Sequence, residues 1–142
     1  MNPDLSWLIG DTIERVEYDE QTQEWVLAIG QCSVLRIECL WRITNGRKLL
    51  VARGDHGQQY GLTAPIDAAS KAMGILAERR IVDVVLAEVS PDLSIELDGA
   101  IKLRTFADST GYEAWALMGP SGTALIAQGG GNIILYPGDP KT

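Results

Sequence analysis

His56 is the only histidine of the chain, and Asp55 precedes it in the segment Gly54-Asp55-His56-Gly57. An imidazole beside a carboxylate can act as a general base or as a proton-sensitive switch near neutral pH. No nucleophile stands in a Gly-x-Ser-x-Gly elbow anywhere in the sequence. The alternative is a polar turn, in which the glycines supply backbone freedom and the side chains form local hydrogen bonds. We therefore take Asp55 and His56 as candidate binding residues and predict no catalytic residue, while enzymatic activity stays open and is disfavoured.

The segment from Asp108 to Trp115 is the most distinctive in the chain. Its polar start and aromatic end suit a binding loop. Trp115 itself is expected in the core, because large aromatic side chains usually supply buried area. Asp108, Tyr112 and Glu113 are therefore candidate binding residues. Tyr60, in the loop after His56, joins them because a tight complex needs an aromatic anchor.

A run of acidic residues near the start of the chain forms a second candidate patch, with Arg15 as its only base. Such a run is usually a solvated face. It could instead attract a basic partner, or mark an acidic strand edge that resists self-pairing. The residues of this patch are Glu14, Glu17, Asp19, Glu20 and Glu24.

Metal and cofactor sites find little support in the sequence. Cys32, Cys39 and His56 are the only soft ligands, and neither C-x-x-C nor H-E-x-x-H spacing is present. The triplet Gly129–Gly131 stands between two short strand-like stretches, which favours a tight turn over a phosphate-binding loop. We predict no metal and no cofactor.

The formal net charge of −7 limits the classes of partner. An acidic chain without a basic tail repels nucleic acid and anionic membrane surfaces, so neither is expected as a partner. A basic protein or a neutral small molecule remains compatible with this charge. The start lacks the features of a signal peptide, and no apolar run approaches the roughly 18 residues of a membrane span. Cytoplasmic residence, with both cysteines reduced, is the expectation.

Alternation of apolar and polar residues dominates the sequence and predicts a mainly β (α+β) fold. Asn45-Gly46 and Asp98-Gly99 are strong hairpin signals. One α-helix is predicted at about 65–78, where Pro65 and Asp67 suit a helix start. We expect a single domain over residues 1–136, followed by a flexible tail over 137–142.

The two halves of the chain, at about 8–57 and 76–136, resemble each other. A shift of 68 positions aligns apolar and charged residues of the first half with the second, without a gap as far as Leu35-Arg36 and Leu103-Arg104. After an insertion around Asp108–Ala114, Trp41 aligns with Trp115. The sequence therefore predicts two pseudo-repeated antiparallel β-meander halves, with the helix between them.

The stretch from Cys39 onward resembles a family of small uncharacterised bacterial proteins. The resemblance is carried by Trp41-Arg42, by Gly54–Gly57, by the Gly-Tyr-Glu-x-Trp motif at 111–115, and by Gly129–Gly131. Members of that family are similar in size and charge to the acidic immunity proteins that accompany secreted bacterial toxins. The resemblance implies a bacterial binding protein and carries no assigned activity.

Three hypotheses follow from the sequence. The first is a non-catalytic, cytosolic protein-binding module of immunity-protein type, whose partner is basic. The second is a small-molecule binding domain or minor enzyme, with a cleft between the halves around His56. The third is a structural module that pairs with other copies through an exposed strand, which leaves a homo-oligomer open.

Overall fold

The structure is a computed structural model that describes residues 3–138. It contains two antiparallel sheets, one of six strands and one of five, and a single α-helix within the described residues. The helix α1 spans Ala68–Leu76. The strands are β1 (Ile13–Asp19), β2 (Glu24–Ile29), β3 (Ser33–Ile37), β4 (Leu40–Asn45), β5 (Lys48–Ala52), β6 (Ile81–Leu86), β7 (Leu93–Leu97), β8 (Ile101–Phe106), β9 (Trp115–Met118), β10 (Ala124–Ala127) and β11 (Ile133–Tyr136).

The predicted mainly β fold class is confirmed. The order of the strands shows how the two halves are combined. The six-stranded sheet has the order β1-β2-β3-β9-β10-β11, and the five-stranded sheet has the order β5-β4-β8-β7-β6. The shift of 68 positions converts β1, β2 and β3 into β6, β7 and β8. The six-stranded sheet therefore combines the meander β1-β2-β3 of the first half with β9-β10-β11 of the second half. The five-stranded sheet combines the meander β6-β7-β8 of the second half with the hairpin β4-β5 of the first half. The halves do not form separate lobes, because β3 pairs with β9 and β4 pairs with β8.

The chain passes from the six-stranded sheet to the five-stranded sheet between β3 and β4, where a long run of alternating residues is interrupted. The alternating run from Ser33 to Asn45 is divided at Glu38 and Cys39 into β3 and β4, which belong to different sheets. The N–H groups of Glu38 and Cys39 both donate to the carbonyl oxygen of Ala114, at 2.9 and 3.2 Å. This junction brings the middle of the first half against the start of β9.

The helix is shorter than the predicted 65–78 but lies inside it. Asp67 is its N-cap, with a side-chain oxygen that accepts the N–H of Ser70 at 3.1 Å. The helix ends at Leu76, and Glu78 then adopts a positive φ of 65°. Ala68, Ala69, Ala72 and Leu76 are its buried residues. The helix packs chiefly against β1.

A single apolar core lies between the sheets and contains three of the tryptophans, Trp25, Trp41 and Trp115. Trp115 is fully buried, as predicted, and its Nε1–H donates to the carbonyl oxygen of Pro91 at 2.6 Å. Both cysteines are free: Cys32 is exposed and Cys39 is buried. Within residues 3–138, no helix is long and apolar enough to cross a membrane. Of the predicted tail, 139–142 lies outside the described residues.

Candidate functional site

His56 connects the start of the helix to an aromatic cluster. Its Nδ1 accepts the backbone N–H of Ala68 at 3.1 Å, so a neutral ring carries its hydrogen on Nε2. The imidazole centroid lies 4.9 Å from the ring of Tyr18 and 5.1 Å from the ring of Trp25. The side chain is half-buried. Its hydrogen bond and its packing thus both support the fold.

Asp55 and Tyr60 are the other two candidates of this region. Asp55 forms a local hydrogen bond, whereas Tyr60 is exposed. An oxygen of Asp55 accepts the N–H of Ala52 at 2.9 Å and closes the short 3-10 turn Arg53–Asp55. Tyr60 is 69% exposed, in a loop whose ends are joined by the N–H of Gly57 and the carbonyl oxygen of Ile66 at 2.8 Å. Neither residue lines the cleft at which Asp108, Tyr112 and Glu113 lie.

An open cleft of about 550 Å³ lies between the two halves. The second half contributes three of the six primary candidates, Asp108, Tyr112 and Glu113. The first half contributes Arg53, from the 3-10 turn beside Asp55 and His56. The 3-10 turn before His56 therefore reaches this cleft through Arg53, but Asp55, His56 and Tyr60 are not among its lining residues. The full lining is Thr22, Gln23, Glu38, Arg53, Asp108, Ser109, Tyr112, Glu113 and Ala114.

Backbone contacts hold the loop that carries Tyr112. The hydroxyl oxygen of Ser109 accepts the N–H groups of Gly111 and Tyr112, both at 3.1 Å. At the end of the loop, the N–H of Ala114 donates to the carbonyl oxygen of Ala127 at 2.8 Å. A Cβ on Gly129 would lie 2.5 Å from the carbonyl oxygen of Thr110, so a glycine is needed for this close approach. The loop is fixed at its base while the side chain of Tyr112 is 80% exposed.

Carboxylates dominate the electrostatics of the cleft. Partial burial, and then the negative charges of Glu113 and Glu24, raise the pKa of Glu38 above its ordinary value of 4.5. Partial burial, and then Glu24, likewise raise the pKa of Glu113. Arg53 is the only cation among the lining residues. It forms no ion pair in the described part of the chain. The cleft is therefore net negative, with carboxylates that are not neutralised by a neighbouring cation.

The secondary acidic patch runs from the exposed surface of β1 to the β1–β2 hairpin beside the cleft. Asp19 pairs with Glu24 across the β1–β2 hairpin, and this hairpin supplies Thr22 and Gln23 to the cleft. Glu20 lies in the same turn. Glu17 is paired with Arg15 at 2.9 Å, both exposed, and Glu14 accepts the hydroxyl of Thr12 at 2.5 Å. No residue of the patch lines the cleft, and only Glu24 is near enough to raise the pKa values of Glu38 and Glu113.

An apolar outer sheet face extends from the Glu24 corner of this cleft. On β2, β3, β9, β10 and β11, the residues that alternate with the buried core positions are mostly apolar. Met118 and Tyr136 are 37% and 51% exposed, and most of the others are half-buried. The outer sheet face comprises Val26, Ala28, Val34, Ala116, Met118, Ala124, Ile126, Ile134 and Tyr136, with Arg36 among them.

Sequence reasoning did not identify Glu38, Arg53 or this outer sheet face. Glu38 and Arg53 reach the cleft through pairing between distant strands, and no local motif marks them. The face did have a signal: β10 and β11 read Ala-Leu-Ile-Ala and Ile-Ile-Leu-Tyr, so both sides of these strands are apolar.

The arrangement is suited to holding positive charge against an exposed aromatic ring. Within residues 3–138, no group of three or more His, Cys, Asp or Glu side chains is placed to hold a metal ion. Comparison with family models, with curated proteins and with solved structures finds no match to this chain.

Proposed function

We propose that this protein is a non-catalytic protein-binding module, which holds a Lys- or Arg-rich segment of a partner in the cleft. The observation that carries the proposal is the group of carboxylates Glu24, Glu38 and Glu113 beside the exposed ring of Tyr112. Exposed aromatic residues are common anchors of protein interfaces. The acidic rim would speed association with a basic partner and select against acidic ones.

The raised pKa values of Glu38 and Glu113 support a cationic ligand. Each carboxylate is less stable as an anion here than in water, because it is partly buried and lies near other carboxylates. A Lys or Arg side chain placed among them would remove this repulsion and strengthen its own hydrogen bonds. Binding should then lower both pKa values and should weaken as the pH falls through them.

The apolar outer sheet face favours a macromolecule over a small cation. Contiguous apolar surface rimmed by polar residues commonly marks a protein-interaction site. Here it adjoins the cleft at Glu24, so one partner could contact both. A bacterial immunity protein, which blocks a basic toxin in the cytoplasm, is the specific form of the proposal. That form rests on the resemblance in size and charge alone.

The test is titration calorimetry with a synthetic peptide that alternates Arg and Gly, with a Glu/Gly peptide as the opposite-charge probe. We expect the Arg peptide to bind at pH 7 and to weaken by about tenfold when Tyr112→Ala and Glu113→Gln are combined. Binding should also weaken on acidification from pH 7 to pH 4.5, because Glu38 and Glu113 then take up protons.

Glu88→Gln is the matched control. Glu88 is the counterpart of Glu20 in the second half, and it does not line the cleft. Its substitution removes the same charge and should leave the affinity within twofold. Equal weakening by Glu88→Gln would mean that only the net charge matters. Failure of the wild-type protein to bind the Arg peptide better than the Glu peptide would contradict the proposal.

A further inference from the structure

The outer face of the five-stranded sheet concentrates positive charge on an acidic protein. Arg42 on β4 lies directly opposite Arg104 on β8, and Lys102 lies opposite Thr44 on the same strand pair. With Arg47 from the β4–β5 hairpin, these side chains line a shallow groove of about 460 Å³. Glu96 is the only carboxylate among the lining residues. The groove therefore carries an excess of positive charge, whereas the whole chain has a formal net charge of −7.

Among the described residues of the groove, one carboxylate offsets part of this charge: Glu96 on β7 lies opposite Lys102 on β8, but the two form no ion pair. Like charges directly opposite each other on a strand pair are unfavourable. None of the four cations has a carboxylate oxygen within 4.0 Å among residues 3–138. The guanidinium of Arg42 lies over the Phe106 ring, 4.3 Å from its centroid, and this cation–π contact restrains the arginine side chain. Part of the groove is thus arranged in advance, at the expense of charge repulsion.

The pseudo-repeat shows that the fold does not need this arrangement. Arg36 of β3 is the counterpart of Arg104, and it lies opposite Ala116 where Arg104 lies opposite Arg42. The counterpart of Lys102 is Val34. In the six-stranded sheet, the position equivalent to Arg104 therefore has no second cation on the neighbouring strand. Two arginines therefore face each other in only one of the two sheets, and the shared fold does not require them.

We propose that this groove is a binding site for a compact polyphosphate anion. Arginine presents a planar fork of donors that matches phosphate oxygens in pairs, and two facing arginines can hold adjacent phosphoryl groups. The volume lies within the range of small-ligand sites. A compact anion interacts mainly with the cations of the groove, because charges are screened over about 8 Å at physiological salt. A long polyanion would also meet the acidic remainder of the surface.

The phosphate chain could belong to free polyphosphate or to a nucleotide, and three probes distinguish the two. Calorimetry in 50 mM salt, without divalent cations, would use tripolyphosphate, ATP and adenosine. Equal affinity for tripolyphosphate and ATP would support recognition of the phosphate chain alone. Tighter binding of ATP, with no binding of adenosine, would support a nucleotide whose base also contacts the groove.

Arg104→Gln is the test variant, and Arg36→Gln is its matched control. We expect Arg104→Gln to weaken tripolyphosphate binding by at least tenfold and Arg36→Gln to change it by less than twofold. Without ligand, Arg104→Gln should melt at the same temperature as the wild type or higher, because it removes a like-charge pair, so lost binding would not reflect unfolding.

Three results would overturn the proposal: no saturable binding of tripolyphosphate, equal weakening by both variants, or tighter binding of a 20-nucleotide single strand than of tripolyphosphate. The groove and the cleft have no lining residue in common, so this outcome is independent of the protein-binding proposal.

Discussion

Replacing His56 with Ala should destabilise the fold and leave peptide binding in the cleft intact. The imidazole accepts the N–H of Ala68 at the start of the helix, and it packs against Tyr18 and Trp25. A sole histidine beside an aspartate is the residue that a search for chemistry would choose first. Its contacts assign it instead to the junction between the helix and the β1–β2 hairpin.

The magnitude follows from two contributions. Loss of a side-chain acceptor at a helix N-terminus costs about 1 kcal/mol. Each aromatic pair contributes about 0.5–1.5 kcal/mol beyond its buried area. With two aromatic pairs, to Tyr18 and Trp25, they predict a decrease of about 2–4 kcal/mol in the free energy of unfolding for His56→Ala. For a domain of this size, that corresponds to a fall of roughly 6–16 °C in the melting temperature.

Urea denaturation followed by tryptophan fluorescence measures this change, since Trp25 is in the affected cluster. Tyr60→Ala is the matched control, because Tyr60 lies in the next loop and is 69% exposed. Its substitution should change the free energy of unfolding by less than about 0.5 kcal/mol. The reasoning would be refuted if His56→Ala kept wild-type stability, or if it abolished binding of the Arg peptide while remaining folded.

Two further predictions concern the Gly-rich turn and the cysteines. Gly129→Ala should cost about 1–3 kcal/mol and weaken peptide binding, because its Cβ would meet the Thr110 carbonyl. Gly54, by contrast, has open space around it, so Gly54→Ala should change stability little in the same denaturation assay. Burial raises the pKa of the Cys39 thiol to about 11, whereas Cys32 is exposed. Mass spectrometry after alkylation at pH 7.5 should therefore find one modified cysteine in the folded protein and two in denaturant, and two modified cysteines in the folded protein would contradict the burial of Cys39.

Local patterns were sufficient for the strands and for much of the core. Alternation places Trp25, Leu35 and Trp115 on buried faces, because neighbouring residues of a strand point to opposite sides. Asp67 marks the helix start because its short side chain can accept a free N–H of the first turn. The repeat was also visible in the sequence, since equivalent strands have equivalent patterns of apolar residues.

The candidate site was only partly accessible to the same reasoning. Tyr112, Glu113 and Asp108 stood out because they interrupt the repeat, and they do line the cleft. His56 stood out as a rare residue type, but a residue type does not specify which atom it will contact. Ala68, which donates to it, is twelve positions away.

By itself, the sequence determined the β-rich class, the position of the helix and the side of each strand that faces the core, because these depend on residues close together in the chain. Only the tertiary structure decided that the hairpins are exchanged between sheets, that Glu38 joins Glu113, and that Arg42 faces Arg104. Each of these depends on which distant strands pair and in what register. Alternation of period two is the same for every partner strand, so it cannot select among them.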